Sequence, residues 1–317
     1  MGTAVDGVSA ELPPRRPMGP HHEAIAYCSP GQLVARIASQ VGAAVVAGDV
    51  VTAVLADDAG EELRAALGSE AGAVDFQDPR EVHRVPGFTT AVRWARTSKR
   101  IVAPDRRGLI VGQQLTDLPG CDDTYWRRLC IGLDVALAGL PLTVLCPYLD
   151  EAPHQDRARQ THRLLDAAGQ EPNAAYRSPE EAVLDYPQPP PPDLGTPVSE
   201  LHFRAPDLGG LRHLVAGIAA AGGLGPDRVA DAVLAVNELA SNSVEHGPGS
   251  GRLRLWTGDG LVAEVADAGR MSQPFPGMVL PPPAGARGRG LWLASELSDV
   301  LQVWTGDGTV IRLSWRV

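Results

Sequence analysis

The sequence predicts an α/β fold in its first half and an α+β fold, helices layered on a sheet, in its second. Three observations lead there. Short apolar runs alternate with helical patterns through the first half, a proline run at 189–192 interrupts the chain, and two helical patterns followed by strands make up most of the remainder. Proline lacks an amide donor and pushes its predecessor out of the helical region, so the stretch from Tyr186 to Asp193 reads as a stiff linker. The expected organisation is a flexible tail at 1–20, a first domain at 21–182, a linker at 183–197 and a second domain at 198–317, both domains being of ordinary size.

In the first half, apolar runs at 24–27, 50–56, 101–102, 109–111 and 142–146 predict strands, and patterns at 32–46, 61–67, 125–138 and 156–168 predict helices. Ser29 followed by Pro30 supplies an N-cap and a first-turn proline for the first helix, and Gly48-Asp49 supplies the turn into the next strand. In the second half the expected order is a strand at 201–204, helices at 208–221 and 227–245, strands at 253–256 and 261–267, a helix at 291–297, and a hairpin of 300–305 with 310–315 about Gly306-Asp307-Gly308. Helices then cover one face of a mixed sheet. The stretch 272–289, with Pro274, Pro276, Pro281, Pro282 and Pro283 among its glycines, holds too many breakers for an ordered element and reads as flexible.

The bulk composition excludes several classes. With 44% hydrophobic and 21% charged residues the chain is an ordinary globular protein, and a net charge of −10 with a pI near 5.3 argues against nucleic-acid binding. Lys99 is the sole lysine and follows no glycine-rich loop, which excludes a Walker A phosphate loop. Cys28, Cys121, Cys130 and Cys146 show no CxxC spacing and read as reduced, mostly buried thiols. Neither a signal peptide nor a long apolar run is recognisable, so no membrane partner is expected and the expected location is cytoplasmic.

The most informative stretch runs from Val236 to Gly247. Glu238, Asn242 and His246 fall four residues apart, which stacks a carboxylate, an amide and an imidazole on one helix face. A magnesium nucleotide needs an oxygen ligand for the metal, an acceptor for the adenine amino group and backbone donors near phosphate. Asn242 suits Mg2+ held otherwise by phosphates and water, and Asp267 at a strand end suits adenine N6. Gly288 and Gly290 permit close backbone approach, Gly290 opens a helix whose dipole favours an anion, and Arg287 and Arg289 add charge. Glu238, one turn before Asn242, stands where a general base for γ-phosphoryl transfer belongs. His246, ahead of Gly247-Pro248, reads equally as a residue satisfying carbonyls at a helix end. Trp256, Trp292, Trp304 and Trp315 read as packing residues.

The run Asn237-Glu-Leu-Ala-Ser-Asn-Ser-Val-Glu-His-Gly247 resembles the N box of GHKL ATPases, and most closely that of the anti-sigma-factor serine/threonine kinases (RsbW-like). The resemblance covers 198–317 and implies a GHKL (Bergerat) two-layer α/β sandwich binding ATP and Mg2+. It implies Glu238 as catalytic base, Asn242 as the Mg2+ ligand, Asp267 and Gly269 in the adenine pocket, Gly288 and Gly290 in the ATP lid and Thr309 as a pocket hydroxyl. Residues 21–182 resemble the MEDS sensory domain through His22-Glu-Ala-Ile-Ala-Tyr-Cys-Ser-Pro30 and Leu145-Cys-Pro-Tyr148, as in RsbA-like bacterial regulators. Such a protein is expected to sequester a sigma factor and to phosphorylate a STAS-domain anti-anti-sigma protein on Ser or Thr. Related kinases suggest a homodimer.

One position departs from the family's DxGxG pattern. Asp267-Ala-Gly-Arg-Met271 has Met271 where the second glycine permits close approach, and a methionine there crowds a nucleotide. The alternative is therefore a catalytically degenerate GHKL module that binds partners without kinase activity. A sensor histidine kinase is disfavoured, because His162, His202 and His213 lack the acidic neighbour of a phosphoacceptor on a dimerisation helix. In the first half the α/β pattern offers a place for a small-molecule ligand beyond the strand ends, with Tyr27, Cys28, Cys146 and Tyr148 as neighbours, while each of the four reads more readily as a core residue at a strand end.

Overall fold

The computed structural model describes residues 21–103, 105–166, 171–280 and 289–317, with only the backbone at Asp166, Glu171 and Pro172. The expected tail at 1–20, Pro281–Pro283, Arg287 and Gly288 lie outside the described residues.

The first half is built from β1 (His21–Tyr27), α1 (Pro30–Val46), β2 (Val50–Val54), α2 (Asp57–Leu67), β3 (Val74–Gln77), α3 (Pro79–Val82), α4 (Gly87–Ile101), β4 (Gly108–Gly112), α5 (Asp123–Ala136), β5 (Leu142–Leu149), α6 (Ala152–Thr161), β6 (Leu164–Asp166), β7 (Glu171–Pro172) and α7 (Pro179–Ala182). Among the described residues its seven strands are ordered β3-β2-β4-β5-β1-β6-β7 and run parallel except at the β6–β7 edge. A parallel sheet needs crossovers that cover both faces. Ile25, Tyr27, Val51, Ala53, Val111 and Leu145 turn to one face and pack with α1 and α2, while Ile110, Val144 and Cys146 turn to the other and pack with α4 and α5. The expected cap holds, since the Ser29 hydroxyl accepts from the Gln32 amide at 3.3 Å.

Two expectations for this half are corrected, and one helix is added. Residues 101–102 form no strand: Ile101 ends α4, and the Val102 amide donates to Ser98 O at 2.9 Å in a helix-closing bond. Helix α4 itself escapes the apolar pattern because its buried residues are Gly87, Thr89, Thr90, Ala91, Val92, Trp94, Ala95 and Ser98, mostly small residues that read as polar or neutral. The helix expected at 156–168 ends at Thr161. His162 is extended and the chain joins the sheet, where Leu164 pairs with Glu23 of β1.

The second half comprises β8 (Ser199–Arg204), α8 (Leu208–Ala221), α9 (Pro226–Glu245), β9 (Ser250–Gly258), β10 (Gly260–Asp267), α10 (Arg289–Leu297), β11 (Val300–Gly306) and β12 (Gly308–Trp315). Its sheet, ordered β11-β12-β10-β9-β8, is antiparallel at every pairing rather than mixed. Consecutive strands here are joined by tight turns or flank the helical segments, so each neighbour can run back alongside the last. Leu253, Leu255, Leu261, Ala263, Val265, Ile311 and Leu313 alternate onto one face and bury against Leu211, Val215, Val236, Leu239 and Leu291 of α8, α9 and α10.

The opposite face carries the linker. Trp256 and Trp304 donate their indole N–H groups to Gly195 O at 3.0 Å and Pro189 O at 2.5 Å, and Arg312 donates to Pro192 O at 3.0 Å. Prolines cannot donate hydrogen bonds but keep their carbonyls, and the sheet face supplies the donors. Glu264, 1% exposed beneath the strap, is neutralised by Arg254 and by Arg312, whose NH2 lies at 2.6 Å.

The expectation of flexibility across 272–289 is corrected for its first part. Phe275 and Met278 are buried, and both join the apolar cluster of α4 and α5 in the first half. Phe275 meets Phe88 edge-on with ring centroids 5.8 Å apart. A Cβ built on Gly132 of α5 would lie 3.0 Å from Phe88 Cδ1, 3.1 Å from Ala91 Cβ and 3.2 Å from Met278 Cε, so α5 packs closely against α4 and this methionine at that glycine. Arg93 and Arg96 of α4 donate to Asp299 O at 3.1 Å and Ser295 O at 2.6 Å, fastening the end of α10 to the same helix. Nearby, Arg128 donates to Tyr186 O and covers the Phe88 ring, and burial pushes its guanidinium down to about 10.

Candidate nucleotide site

Helix α9 begins at Pro226, a residue suited to a first turn because its missing amide proton would have no partner there. Ala232, Ala235, Val236, Leu239, Ala240 and Ser243 are buried and fix the helix on the sheet, leaving Glu238 and Asn242 half-buried beside them. The N-terminal turn of α10 comes down onto those two side chains. A Cβ on Gly290 would stand 2.8 Å from Glu238 Oε2 and 3.1 Å from Asn242 Nδ2, so any larger residue would displace them. This brings together a carboxylate, an amide and the positive end of a helix, the combination a polyphosphate with a cation calls for.

A second cluster lies beside the first. Asp267, the last residue of β10, accepts from the Ser243 hydroxyl at 2.5 Å and from the Gly269 amide at 2.7 Å. Thr309, buried on β12, donates its hydroxyl to Gly269 O at 2.9 Å. The turn after β10 is thereby tied to α9 on one side and to β12 on the other. Gly308 makes that register possible: its φ is +142°, and a Cβ would fall 2.5 Å from Asp267 O. Asp267 keeps lone pairs for a further donor, and its orientation is fixed before any ligand arrives.

Of the residues singled out by sequence, Glu238, Asn242 and Gly290 form one group and Asp267, Gly269 and Thr309 the other. His246 does not continue the helical stripe. It is the exposed C-cap, and its backbone amide donates to Asn242 O at 2.9 Å. Arg289 is exposed at the first position of α10. Met271 is half-buried against the apolar cluster of the second half and, with Phe88 and Trp304, lines a cavity of ≈ 330 Å³ between the two halves. Ser243 is the residue the sequence reading passed over. Its signal was its place next to Asn242 within the polar run, where a hydroxyl on the buried side of a helix needs a partner.

The donor set fits a magnesium nucleotide. Gly290 leaves room where a side chain would block Glu238 and Asn242, and Asp267 is an oriented acceptor beside them. Residues 202–315 match the family described as histidine kinase-like ATPase domain, so the second half is a domain of that class. Among solved structures, the RsbU and RsbW domains of a Mycobacterium tuberculosis protein align at 23% identity with a TM-score of 0.29, over 38% of this chain and 32% of that one. This chain thus spans about a third of that structure's length. No curated protein matches the chain. Among the described residues no helix is long and apolar enough to cross a membrane.

Proposed function

We propose that residues 198–317 bind Mg-ATP and transfer its γ-phosphoryl group to a serine or threonine of a STAS-domain anti-anti-sigma protein, and that the same domain sequesters a sigma factor. Residues 21–182, with their MEDS likeness, supply the sensory input in this reading. The observation that carries it is the close approach of the α10 N-terminus to Glu238 and Asn242, whose side-chain ends would have to shift to admit a Cβ at Gly290. Bound Mg2+ would neutralise phosphate charge, with Asn242 as its protein ligand. Glu238, one turn away on the same face, accepts the proton of the attacking hydroxyl. Asp267, held by Ser243 and Gly269, orients the adenine through its amino group.

Calorimetry of the full chain with Mg-ATP tests the reading. Saturable heat is expected for the wild type and its loss in Asn242→Ala, with unchanged melting of that variant without nucleotide. A second reading, a partner-binding module without kinase activity, is favoured by Met271 at the position of the second glycine. Absence of both heat and thermal stabilisation at millimolar ATP would leave that second reading standing.

A further inference from the structure

The first half contains a cluster that the nucleotide chemistry does not use. His22 on β1, Cys146 on β5, Cys130 on α5 and His162 just after α6 meet on the α5–α6 face of the parallel sheet, at 5%, 2%, 0% and 0% exposure. One ligand atom from each lies within 4.8 Å of all the others, and the two imidazole rings are 4.1 Å apart between centroids.

The surrounding hydrogen bonds aim the nitrogens inward. His22 Nδ1 donates to Asp134 Oδ1 at 3.0 Å, which leaves Nε2 with its lone pair directed at the cluster, 3.2 Å from Cys146 Sγ. The Thr161 hydroxyl donates to Arg157 O at 2.9 Å and so accepts from His162 Nδ1 at 3.0 Å. His162 therefore carries its proton on Nδ1, and its Nε2, fully buried, has no hydrogen-bond partner. A buried polar atom left unpartnered in this way costs about 1–3 kcal/mol unless something else fills the position.

A further ring of contacts holds the cluster in place. Asp134 also accepts from Tyr176 OH at 2.6 Å, and Gln114 donates to Cys130 Sγ at 3.2 Å while accepting from Arg157 at 2.9 Å. A carboxylate on the far nitrogen of a ligating histidine is the usual device for fixing its ring and tautomer.

We infer that His22, Cys130, Cys146 and His162 bind a zinc ion in a closed tetrahedral N2S2 site. Zinc–nitrogen and zinc–sulfur bonds of about 2.0–2.3 Å place tetrahedral ligands roughly 3.3–3.8 Å apart, so the side chains need close by only about an ångström. Two thiolates balance the charge of a divalent cation, and this donor set suits zinc above hard cations that prefer oxygen. With all four positions filled by protein the ion is a structural fastener of β1, β5, α5 and α6 rather than a reaction centre. A Cys130–Cys146 disulfide is the competing chemistry, and it would leave His162 Nε2 as unpartnered as before.

The test uses the full chain, purified under reducing conditions from zinc-supplied cells. Elemental analysis is expected to give about one zinc per chain, and exchange with Co2+ to give a thiolate charge-transfer band. Cys130→Ser and Cys146→Ser should remove both, while Cys28→Ser, which alters the exposed cysteine, should remove neither. Because a ligand variant can fail to fold, Asp134→Asn provides a second measurement: zinc affinity in chelator competition should fall about 10–100-fold with the folded signal retained. Folded wild type with no bound transition metal and no cobalt band overturns the inference. So does a Cys130–Cys146 disulfide in the metal-free native protein, or zinc that survives loss of both Cys130 and Cys146.

Discussion

Helix α9 presents Glu238, Asn242 and Ser243 within one short stretch of a single element, the first two half-buried, whereas His22, Cys130, Cys146 and His162 come from β1, α5, β5 and the residue after α6 and are at most 5% exposed. The first arrangement suits a ligand that arrives and leaves. Its geometry is set by one helix, its side chains reach solvent, and the facing turn of α10 follows a segment rich in prolines. The second exists only once the parallel sheet and both covering helices have assembled, and nothing diffuses in without opening the core. Such a place suits a resident ion better than an exchanging ligand. One half thus keeps polar chemistry at its edge and the other keeps it at its centre.

The contrast can be broken most sharply at the edge. Glu238→Ala should lower phosphotransfer to a partner by roughly 10²–10⁴-fold, the usual contribution of a general base, with ATP affinity retained in calorimetry. Loss of affinity and transfer together would make Glu238 a structural support of α10 instead. The next largest effect concerns the segment between the two centres. Phe275 is 5% exposed in the core of the first half, so Phe275→Ala should cost about 3–5 kcal/mol in chemical denaturation of the full chain. A cost typical of a surface substitution would return the segment to the flexible loop that its prolines suggest. The smallest change is Ser243→Ala, which removes a hydrogen bond to the Asp267 carboxylate and should cost about 1.5–3 kcal/mol, with Ser243→Thr recovering much of it. No change in stability would mean that Asp267 is positioned by Gly269 alone.

How far each half was legible follows from the same contrast. The α8 bounds were read from the apolar period without error, and α9 differed by one residue at its start, because both helices bury aliphatic stripes against one sheet. The polar run of α9 was visible because its members are neighbours in sequence. Strand direction was not visible, and the sheet proved antiparallel throughout because pairing depends on how connections fold back rather than on strand composition. In the first half, α4 was hidden by its threonines and small residues, and Leu164-Leu165 fits a helix face as well as a strand. Cys130, Cys146 and the two histidines carry no spacing signal, since topology alone brings positions 22 and 162 onto one face. The neighbours expected for a ligand there divide in the same way. Cys146 is in the buried cluster, whereas Cys28 is exposed past the far end of β1, beyond the level where Tyr27 pairs with Leu149.

Phe275 and Met278 belong by sequence to the second half and by packing to the first. Scission of the exposed linker backbone would therefore not release two independent pieces. The fragments would remain associated through those two side chains, Arg93 and Arg96, as a non-covalent pair. Either piece expressed alone would carry a defect of its own: a hole between α4 and α5 in one, and two bare apolar side chains ahead of α10 in the other. Grafting the first half onto a different ATPase domain would require that short segment to travel with it.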